Sequence, residues 1–238
     1  MNRKYLYGPV SSRRLGRSLG VNIMPHKTCS LDCIYCECGK TTNLTLERKE
    51  YTPTAEIINE LAAYLKEKPQ LDYITFSGSG EPTMHSGIGE IISFLKENFP
   101  QYKVAVLTNS TLLNDPQVRE DIKNADLIVP SLDGVSKEVF HKIDRPHENV
   151  SIEEIVSGIR KLKEISSGDI WLEIFIVPGV NDTPEELKLF KEILEKINVT
   201  KVQLNSLDRP GIVDWLKPAD KEHLKKIAAY LGNVEIVN

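Results

Sequence analysis

Short runs of apolar and β-branched residues alternate along the chain with longer stretches whose apolar residues recur every three or four positions. The short runs are bounded by turn residues and are typical of strands, whereas the longer stretches are typical of amphipathic helices. The short runs predict six strands, at Gly20–Met24, Leu71–Phe76, Tyr102–Thr108, Asp126–Ser131, Ile170–Val177 and Lys201–Asn205. The chain is therefore expected to repeat a unit of one strand and one helix.

Three of the helical stretches begin with clear start signals. Thr52 and Pro53 supply an N-cap residue and a first-turn proline. Ser151–Glu154 and Thr183–Glu186 each place a glutamate three residues after a hydroxyl residue, which is the capping-box pattern. We therefore expect helices to begin at these three places.

Alternating strand and helix units predict parallel strands joined by right-handed crossovers, and hence an α/β fold. At roughly 30–40 residues per unit, the chain holds about six units, too few for an eight-unit barrel. We predict a partial (β/α)6 TIM-like barrel, an open parallel sheet with helices outside, in a single domain over residues 1–238. Residues 1–19 are expected to form an N-terminal extension that packs on the barrel. Glu173, Gln203 and Asn205 could point into the barrel.

Composition is that of an ordinary globular protein, with 40% hydrophobic and 27% charged residues. No apolar run approaches the roughly 18 residues that cross a bilayer, so no membrane partner is expected. The N-terminal residues lack the apolar segment of a secretory signal, and a cytoplasmic location is expected. The net charge of −4, from 30 basic and 34 acidic residues, weakens the case for a large nucleic-acid footprint.

All four cysteines lie within ten residues, from Cys29 to Cys38. This clustering favours a metal or iron–sulfur site over disulfides, which are rare in reducing compartments. The C-x3-C-x2-C spacing of Cys29, Cys33 and Cys36 can present three thiolates to one face of a 4Fe-4S cluster and leave one iron open for chemistry. The alternative is a structural zinc site that also uses Cys38, although Cys36 and Cys38 are closely spaced for a tetrahedral ion. Otherwise Cys38 is a bystander or a thiol near the cluster.

The segment Lys27–Cys36, Lys-Thr-Cys-Ser-Leu-Asp-Cys-Ile-Tyr-Cys, resembles the signature of the radical S-adenosylmethionine (radical SAM) superfamily. The resemblance implies that Cys29, Cys33 and Cys36 hold a 4Fe-4S cluster and that Tyr35 lies against the adenine of S-adenosylmethionine (SAM). It implies that the open iron binds the methionine end of SAM. One electron, from a donor such as flavodoxin or ferredoxin, would then split SAM into methionine and a 5′-deoxyadenosyl radical that abstracts hydrogen from a substrate.

The loops after the later strands carry the other candidates for SAM binding. Ser77–Thr83, Ser-Gly-Ser-Gly-Glu-Pro-Thr, resembles the family's Gly-Gly-Glu motif, with serine in place of the first glycine. That resemblance implies that Ser79, Gly80 and Glu81 hold the amino group of SAM. Polar residues on further loops match places where family members contact SAM or substrate, with a turn, a cap or a solvated charge as the alternative. These residues are Asn109, Ser131 and Asp133. Arg145, before the Ser151 helix, could pair with the carboxylate of SAM in a bidentate geometry, with a solvated loop charge as the alternative.

Val177 begins a stretch that resembles glycyl-radical-enzyme activases, in which the backbone there borders the adenine. The segment Gly8–Gly20 looks like that of short radical SAM proteins grouped with the tRNA wyosine-base synthase. Its arginines, Arg13, Arg14 and Arg17, either form salt bridges that fasten this segment or bind phosphate or an acidic substrate.

The resemblance to the wyosine synthase would imply extra cysteines for a second cluster, and this chain has none to spare. We therefore do not carry over its tRNA and pyruvate substrates. The substrate stays open between a small molecule, a protein glycine and an RNA base, and no catalytic residue is assigned. A non-catalytic zinc or iron–sulfur binding module is the alternative from another functional class.

Overall fold

We describe residues 3–232 and 234–237 of a computed structural model of the chain. The strands are β1 (Leu6–Ser12), β2 (Gly16–Val21), β3 (Thr28–Cys29), β4 (Asn43–Leu44), β5 (Tyr73–Phe76), β6 (Lys103–Thr108), β7 (Leu127–Pro130), β8 (Asp169–Ile176), β9 (Lys201–Ser206) and β10 (Val234–Ile236). The helices are α1 (Thr54–Leu65), α2 (Ile88–Asn98), α3 (Pro116–Ile122), α4 (Lys137–Asp144), α5 (Ile152–Ile165), α6 (Pro184–Ile197) and α7 (Lys221–Leu231). None of the helices in these ranges is long and apolar enough to cross a membrane.

In the described part of the chain, eight strands form one sheet in the order β1-β2-β5-β6-β7-β8-β9-β10. Neighbouring strands from β2 to β10 run parallel, and only the edge strand β1 is antiparallel to its neighbour. The remaining strands, β3 and β4, form a separate short ladder beside the first cysteine. The structure confirms the α/β fold and the open, mostly parallel sheet with helices around it, a partial TIM-like barrel.

Each of the six predicted strands has a counterpart, but the first lies at Gly16–Val21 rather than Gly20–Met24, and the sheet has two further strands at its edges. Strand β1 contains Gly8-Pro9, which has the composition of a turn. Its pairing with β2 shifts register between Tyr7 and Val10, so the proline lies at an irregularity in an edge strand, where proline is tolerated. Strand β10 has only three residues, too few to show an alternating pattern.

Alternate side chains of the parallel strands face the helices and the barrel interior. On β8, Ile170, Leu172 and Ile174 are fully buried in the main core beneath the helices. Trp171 lies on the other face, in a smaller apolar cluster inside the barrel with Leu15 and its neighbours. The main core therefore lies outside the sheet, and this smaller cluster lies within the barrel.

The interior face of β8 and β9 also carries a polar group. Glu173 lies beside Gln203 in the parallel register, and the Asn205 amide nitrogen is 3.4 Å from a Glu173 carboxylate oxygen. Arg14, from the turn between β1 and β2, contacts the same carboxylate. An ion pair inside the barrel thus joins the N-terminal hairpin to the far side of the sheet.

Candidate functional site

The carboxyl edge of the sheet gathers the predicted site residues in one region. The cysteine loop follows β2, Ser77–Thr83 follows β5, and Asn109 follows β6. Ser131 and Asp133 follow β7, and Val177 follows β8. Because neighbouring parallel strands end side by side, these loops are adjacent. Hydrogen bonds and close packing join these loops to one another.

Cys29, Cys33 and Cys36 are free thiols, each partly buried, on the loop after β2. Among the described residues, two side-chain nitrogens reach their sulfurs. The Lys27 Nζ atom lies 3.1 Å from Cys36 Sγ, and the Asn109 Nδ2 atom lies 3.4 Å from Cys29 Sγ. Hydrogen bonds to cysteine sulfur stabilise the thiolate that binds iron, so the surroundings of the loop suit metal ligation.

Burial keeps two of these thiols protonated in the absence of a metal. It raises the pKa of Cys29 to about 11, with the Glu81 charge as the next contribution. It also raises the pKa of Cys33 well above its usual value, with Asp144 next. For Lys27, burial acts to lower the pKa, but the hydrogen bond to Cys36 outweighs it and the pKa is raised. Binding of iron would therefore release protons from the thiols, while the lysine stays charged.

The donor set fits an iron–sulfur cluster. Three thiolates from one short loop suit such a cluster with one iron left open, and soft thiolate ligands select iron–sulfur or zinc centres. Within residues 3–232 and 234–237, no three His, Cys, Asp or Glu side chains converge on a point that could hold a single metal ion. The fourth cysteine, Cys38, is exposed, with its sulfur 3.7 Å from the carbonyl oxygen of Gly78.

Gly80 lies where the two motif loops touch. A Cβ atom at this position would come within 2.3 Å of the Thr28 carbonyl oxygen and 2.9 Å of the Met24 Cβ atom. The preceding residue, Ser79, accepts a hydrogen bond at its carbonyl oxygen from the Lys27 backbone nitrogen, at 2.7 Å. The glycine thus allows the Ser77–Thr83 loop to pack directly on the backbone of the cysteine loop.

Glu81 is buried, at 3% exposure, and its carboxylate is surrounded by donors. One oxygen accepts from the Thr83 backbone nitrogen at 3.0 Å, from the Thr83 hydroxyl at 2.6 Å and from the Thr108 hydroxyl at 2.7 Å. The other oxygen accepts from the Asn109 backbone nitrogen at 2.7 Å. Burial raises the pKa of Glu81, against the lowering effect of these hydrogen bonds. Its carboxylate therefore organises the ends of β5 and β6.

Tyr35, the aromatic residue before the third cysteine, is held from two sides. Its ring stacks on Phe175 with centroids 3.9 Å apart and an interplanar angle of 11°. Its hydroxyl donates to one oxygen of Asp133, and the Phe175 backbone nitrogen donates to the other at 2.7 Å. Phe175 thus covers one face of the Tyr35 ring. The two carboxylate oxygens of Asp133 link the Tyr35 hydroxyl to the backbone of β8.

A small cavity, lined by Tyr35, Asn109, Ser131 and Asp133 among others, lies beside the cysteine loop. Val177 is buried in the apolar cluster that Tyr35 packs against, and its backbone nitrogen donates to the Asn181 side chain at 2.8 Å. The structure therefore brings together five of the residues proposed from the sequence to contact SAM.

Arg145 differs from these residues because its side chain is largely outside the cavity. It ends α4 in a left-handed conformation, with φ of 43°. Its side chain is 43% exposed, and its guanidinium lies 3.8 Å from an Asp32 carboxylate oxygen. Both Asp144 and Arg145 accept the Asp32 backbone nitrogen at their carbonyl oxygens. In this structure Arg145 borders the cysteine loop from the outside.

Two of the three N-terminal arginines make ion pairs, as one of the two interpretations of that segment expects. Arg14 contacts Glu173 inside the barrel, and Arg13 lies 3.6 Å from Asp208. The backbone nitrogen of Arg17 donates to Asp72 at 2.7 Å. A large open cavity of about 610 Å³ lies at the opposite, amino edge of the sheet, away from the cysteine loop.

Sequence patterns did not reveal the segment after β9 as part of this region. The Ile212 backbone nitrogen donates to the Ile34 carbonyl oxygen at 2.9 Å, and a Cβ atom on Gly211 would come within 2.8 Å of the Tyr35 Cα atom. Arg209 forms an ion pair with Glu37 at 3.0 Å. The turn residues Pro210 and Gly211 indicate only a loop, so its contact with the cysteine loop could not be predicted.

The model of the radical SAM superfamily matches residues 23–193 of this chain, a span that includes the cysteine loop and the four strands that follow it in the sheet. The chain belongs to the radical SAM superfamily. Curated relatives include a UPF0026 protein of Synechocystis, 39% identical over 218 residues, with 91% of this chain and 78% of that protein covered.

Another relative of this radical SAM protein is a Brachyspira hyodysenteriae protein named GTPase Obg. It is 36% identical over 230 residues, which cover 97% of this chain and 34% of that protein. The chain therefore spans about a third of the length of this relative.

Solved structures share the fold of this radical SAM protein. TYW1 with a lysine-pyruvate adduct bound superposes with a TM-score of 0.68 at 18% identity, over 90% of this chain and 72% of the other. A domain of a pyruvate-formate lyase-activating enzyme from Bacteroides vulgatus gives a TM-score of 0.54 at 22% identity, over 69% of this chain and 98% of the other. Both structures thus share the fold of this chain.

Proposed function

We propose that this protein is an enzyme that cleaves SAM reductively and passes the resulting radical to an organic substrate. The observation that carries the proposal is the set of three thiols at the carboxyl edge of the sheet, with Lys27 and Asn109 donating to their sulfurs. A 4Fe-4S cluster bound there would supply one electron that breaks the S–C5′ bond of SAM, giving methionine and a 5′-deoxyadenosyl radical. That radical takes a hydrogen atom from the substrate.

In this proposal Cys29, Cys33 and Cys36 hold the cluster. The Ser77–Thr83 loop would bind the amino group of SAM through its backbone carbonyl oxygens, because the Glu81 carboxylate already accepts four hydrogen bonds. Gly80 lets this loop approach the cysteine loop closely enough for both to contact one ligand.

The other end of SAM would occupy the space around the small cavity. We assign the adenine to Tyr35 and the backbone at Val177, which belong to one apolar cluster. Asn109 and Ser131 line the cavity and offer polar groups to the ribose or the carboxylate. Asp133 would act by holding Tyr35 in place, and Arg145, with its exposed guanidinium, would pair with a carboxylate that reaches the edge of the site.

The proposal is tested by anaerobic reconstitution with iron and sulfide, followed by reduction with dithionite and chromatography of the products formed from SAM. We expect 5′-deoxyadenosine and methionine from the wild-type protein and none from Cys33→Ala. Cys38→Ala is the matched control and should keep both the cluster and the cleavage, because Cys38 lies outside the ligand set. A reconstituted protein that binds about one zinc ion, carries no cluster and leaves SAM intact would instead support a non-catalytic binding module.

The same reduced protein can be offered physiological one-electron donors in place of dithionite, and flavodoxin and ferredoxin are the first to try. The proposed substrate is a molecule with an abstractable hydrogen, which is a small molecule, a protein glycine or an RNA base. Deuterium transfer from a labelled candidate into 5′-deoxyadenosine would identify it, since the radical carries away the hydrogen it removes.

A further inference from the structure

Lys27 is a buried cation next to the cysteine sulfurs. Its exposure is 3%, and its ammonium nitrogen lies 3.1 Å from Cys36 Sγ. Among the described residues, the ion pairs of the chain do not include Lys27. Burying an ammonium group without a counter-charge is strongly unfavourable, so the negative charge that balances Lys27 has to come from the cysteine loop.

The backbone of Lys27 fixes the direction of its side chain. The residue has φ of 55°, in the left-handed region that a lysine seldom adopts. Its backbone nitrogen donates to the Ser79 carbonyl oxygen at 2.7 Å, and its carbonyl oxygen accepts from the Thr42 and Asn43 backbone nitrogens, each at 3.1 Å. Three hydrogen bonds from two loops therefore hold a sparsely populated conformation, and that conformation delivers the ammonium group to Cys36.

We propose that Lys27 raises the reduction potential of the cluster held by Cys29, Cys33 and Cys36. It would be a positioning residue, which acts through the Cys36 sulfur and makes the transfer of an electron to the cluster more favourable. The inference rests on the proposed function, because it requires that cluster. Reduction adds one negative charge to a site that already carries three thiolates. A cation fixed at hydrogen-bond distance in a buried site stabilises the reduced state more than the oxidised state.

The second donor to sulfur gives an internal comparison. Asn109 is neutral, and its amide nitrogen is farther from its sulfur, at 3.4 Å, than the Lys27 ammonium is from Cys36. Its amide also donates to the Ser30 hydroxyl at 2.9 Å. A shared, uncharged donor polarises sulfur less than a dedicated ammonium, so the effect of Lys27 is expected to be the larger one.

The test is an anaerobic redox titration in which electron paramagnetic resonance reports the fraction of reduced cluster. In Lys27→Met, which keeps an unbranched side chain but removes the charge, the ratio of reduced to oxidised cluster should fall at least tenfold at the wild-type midpoint. For a one-electron couple this corresponds to a potential about 59 mV lower. Lys27→Arg keeps the charge and should stay near the wild-type value.

Lys40→Met is the matched control, because Lys40 is an exposed lysine just beyond the cysteine loop, and it should leave the potential unchanged. Lys27→Gln serves the same titration if the methionine variant does not hold the cluster. If the Lys27→Met or Lys27→Gln variant holds the cluster and has the wild-type reduction potential, the inference on Lys27 is wrong, while the proposed function is unaffected. A wild-type protein that takes up no cluster contradicts the proposed function and this inference together.

Discussion

Individual atoms decide how closely the loops of the site approach one another. At Gly80 the missing Cβ atom lets one loop rest on the Thr28 carbonyl oxygen of the other. The glycine could be picked out from the sequence by its motif, and the structure supplies the physical reason for it. The contact of Lys27 with Cys36 could not be predicted, because a lysine between a histidine and a threonine in a turn is normally a solvated charge.

Replacement of Gly80 by alanine should loosen the junction between the two loops. The added Cβ atom would lie 2.3 Å from backbone that cannot rotate away, so we expect a loss of about 1–3 kcal/mol in the free energy of unfolding and less iron per chain. Chemical denaturation and iron analysis measure the two effects. Ser79→Ala is the control, since it removes only the 3.2 Å hydrogen bond from Asn22 and should change stability by less than about 1 kcal/mol. Equal losses in both variants would contradict this explanation.

Asp133 should make the stability of the metal-free protein depend on pH. Burial raises the pKa of Asp133 from 3.8 to about 6, although the Tyr35 and Phe175 hydrogen bonds oppose the shift. Between these two values the unfolded chain loses a proton that the folded chain keeps, so stability falls as pH rises and levels off above pH 6.

Relative to Asp133→Asn, the wild-type protein should therefore lose up to about 3 kcal/mol between pH 4 and pH 6. Denaturation of both proteins across this range is the measurement. A difference that is constant, or that grows in favour of the wild type as pH rises, would show that the native carboxyl is not held protonated.

Two of the three helix starts predicted from sequence signals are confirmed. The third, a cap at Thr52, is wrong, because Pro53 is the N-cap residue of α1 and the Thr52 hydroxyl donates instead to the Ile23 carbonyl oxygen at 2.8 Å. Helices α5 and α6 start at the predicted Ser151 and Thr183 caps, whose hydroxyls each accept a backbone hydrogen bond at 3.3 Å. The Glu154 side chain is exposed, as is expected for the glutamate of a capping box on the protein surface. Glu186 is buried and instead accepts the backbone nitrogens of Val135 and Ser136, at the start of α4. Local pattern predicts a helix start but cannot show that its glutamate serves another helix.

The two glutamates form a matched pair for mutagenesis. Glu186→Ala should lower the free energy of unfolding by about 2–3 kcal/mol, because it leaves two backbone N–H groups buried without an acceptor. Glu154→Ala should change it by less than about 0.5 kcal/mol, because that side chain is in solvent. Urea unfolding compares them directly. Similar values would mean that both act only as local caps.

For the whole molecule, the alternation of strands and helices was sufficient to predict the open α/β sheet, but not how the sheet closes around its interior. Closure depends on contacts between residues that are distant in the sequence, and the local pattern of hydrophobic residues cannot predict such contacts. The main example is Arg14, on the hairpin at one side of the sheet, and Glu173, on a strand far along the order. The sequence offered salt bridging as one of two roles for this arginine, and the structure supplies its partner.

A double-mutant cycle tests this connection across the barrel. Arg14→Met should cost about 3–5 kcal/mol, because it leaves the Glu173 carboxylate poorly compensated in the interior. Combining Arg14→Met with Glu173→Gln should recover most of that loss, since no charge is then buried. The free energy of unfolding at pH 7 is the measurement. A double variant whose loss equals the sum of the two single losses would show that the groups do not interact.

The segment after β9 places a late part of the polypeptide over an early one. Arg209 and Glu37, which pair across the cysteine loop, are 172 positions apart. During synthesis the cysteines are made long before the segment after β9 that contacts their loop. Until then the Ile34 carbonyl oxygen has no Ile212 nitrogen to bind. For most of translation the cysteine loop of a nascent chain thus lacks this contact, and α7 and β10 are still to follow when the segment that provides it is made.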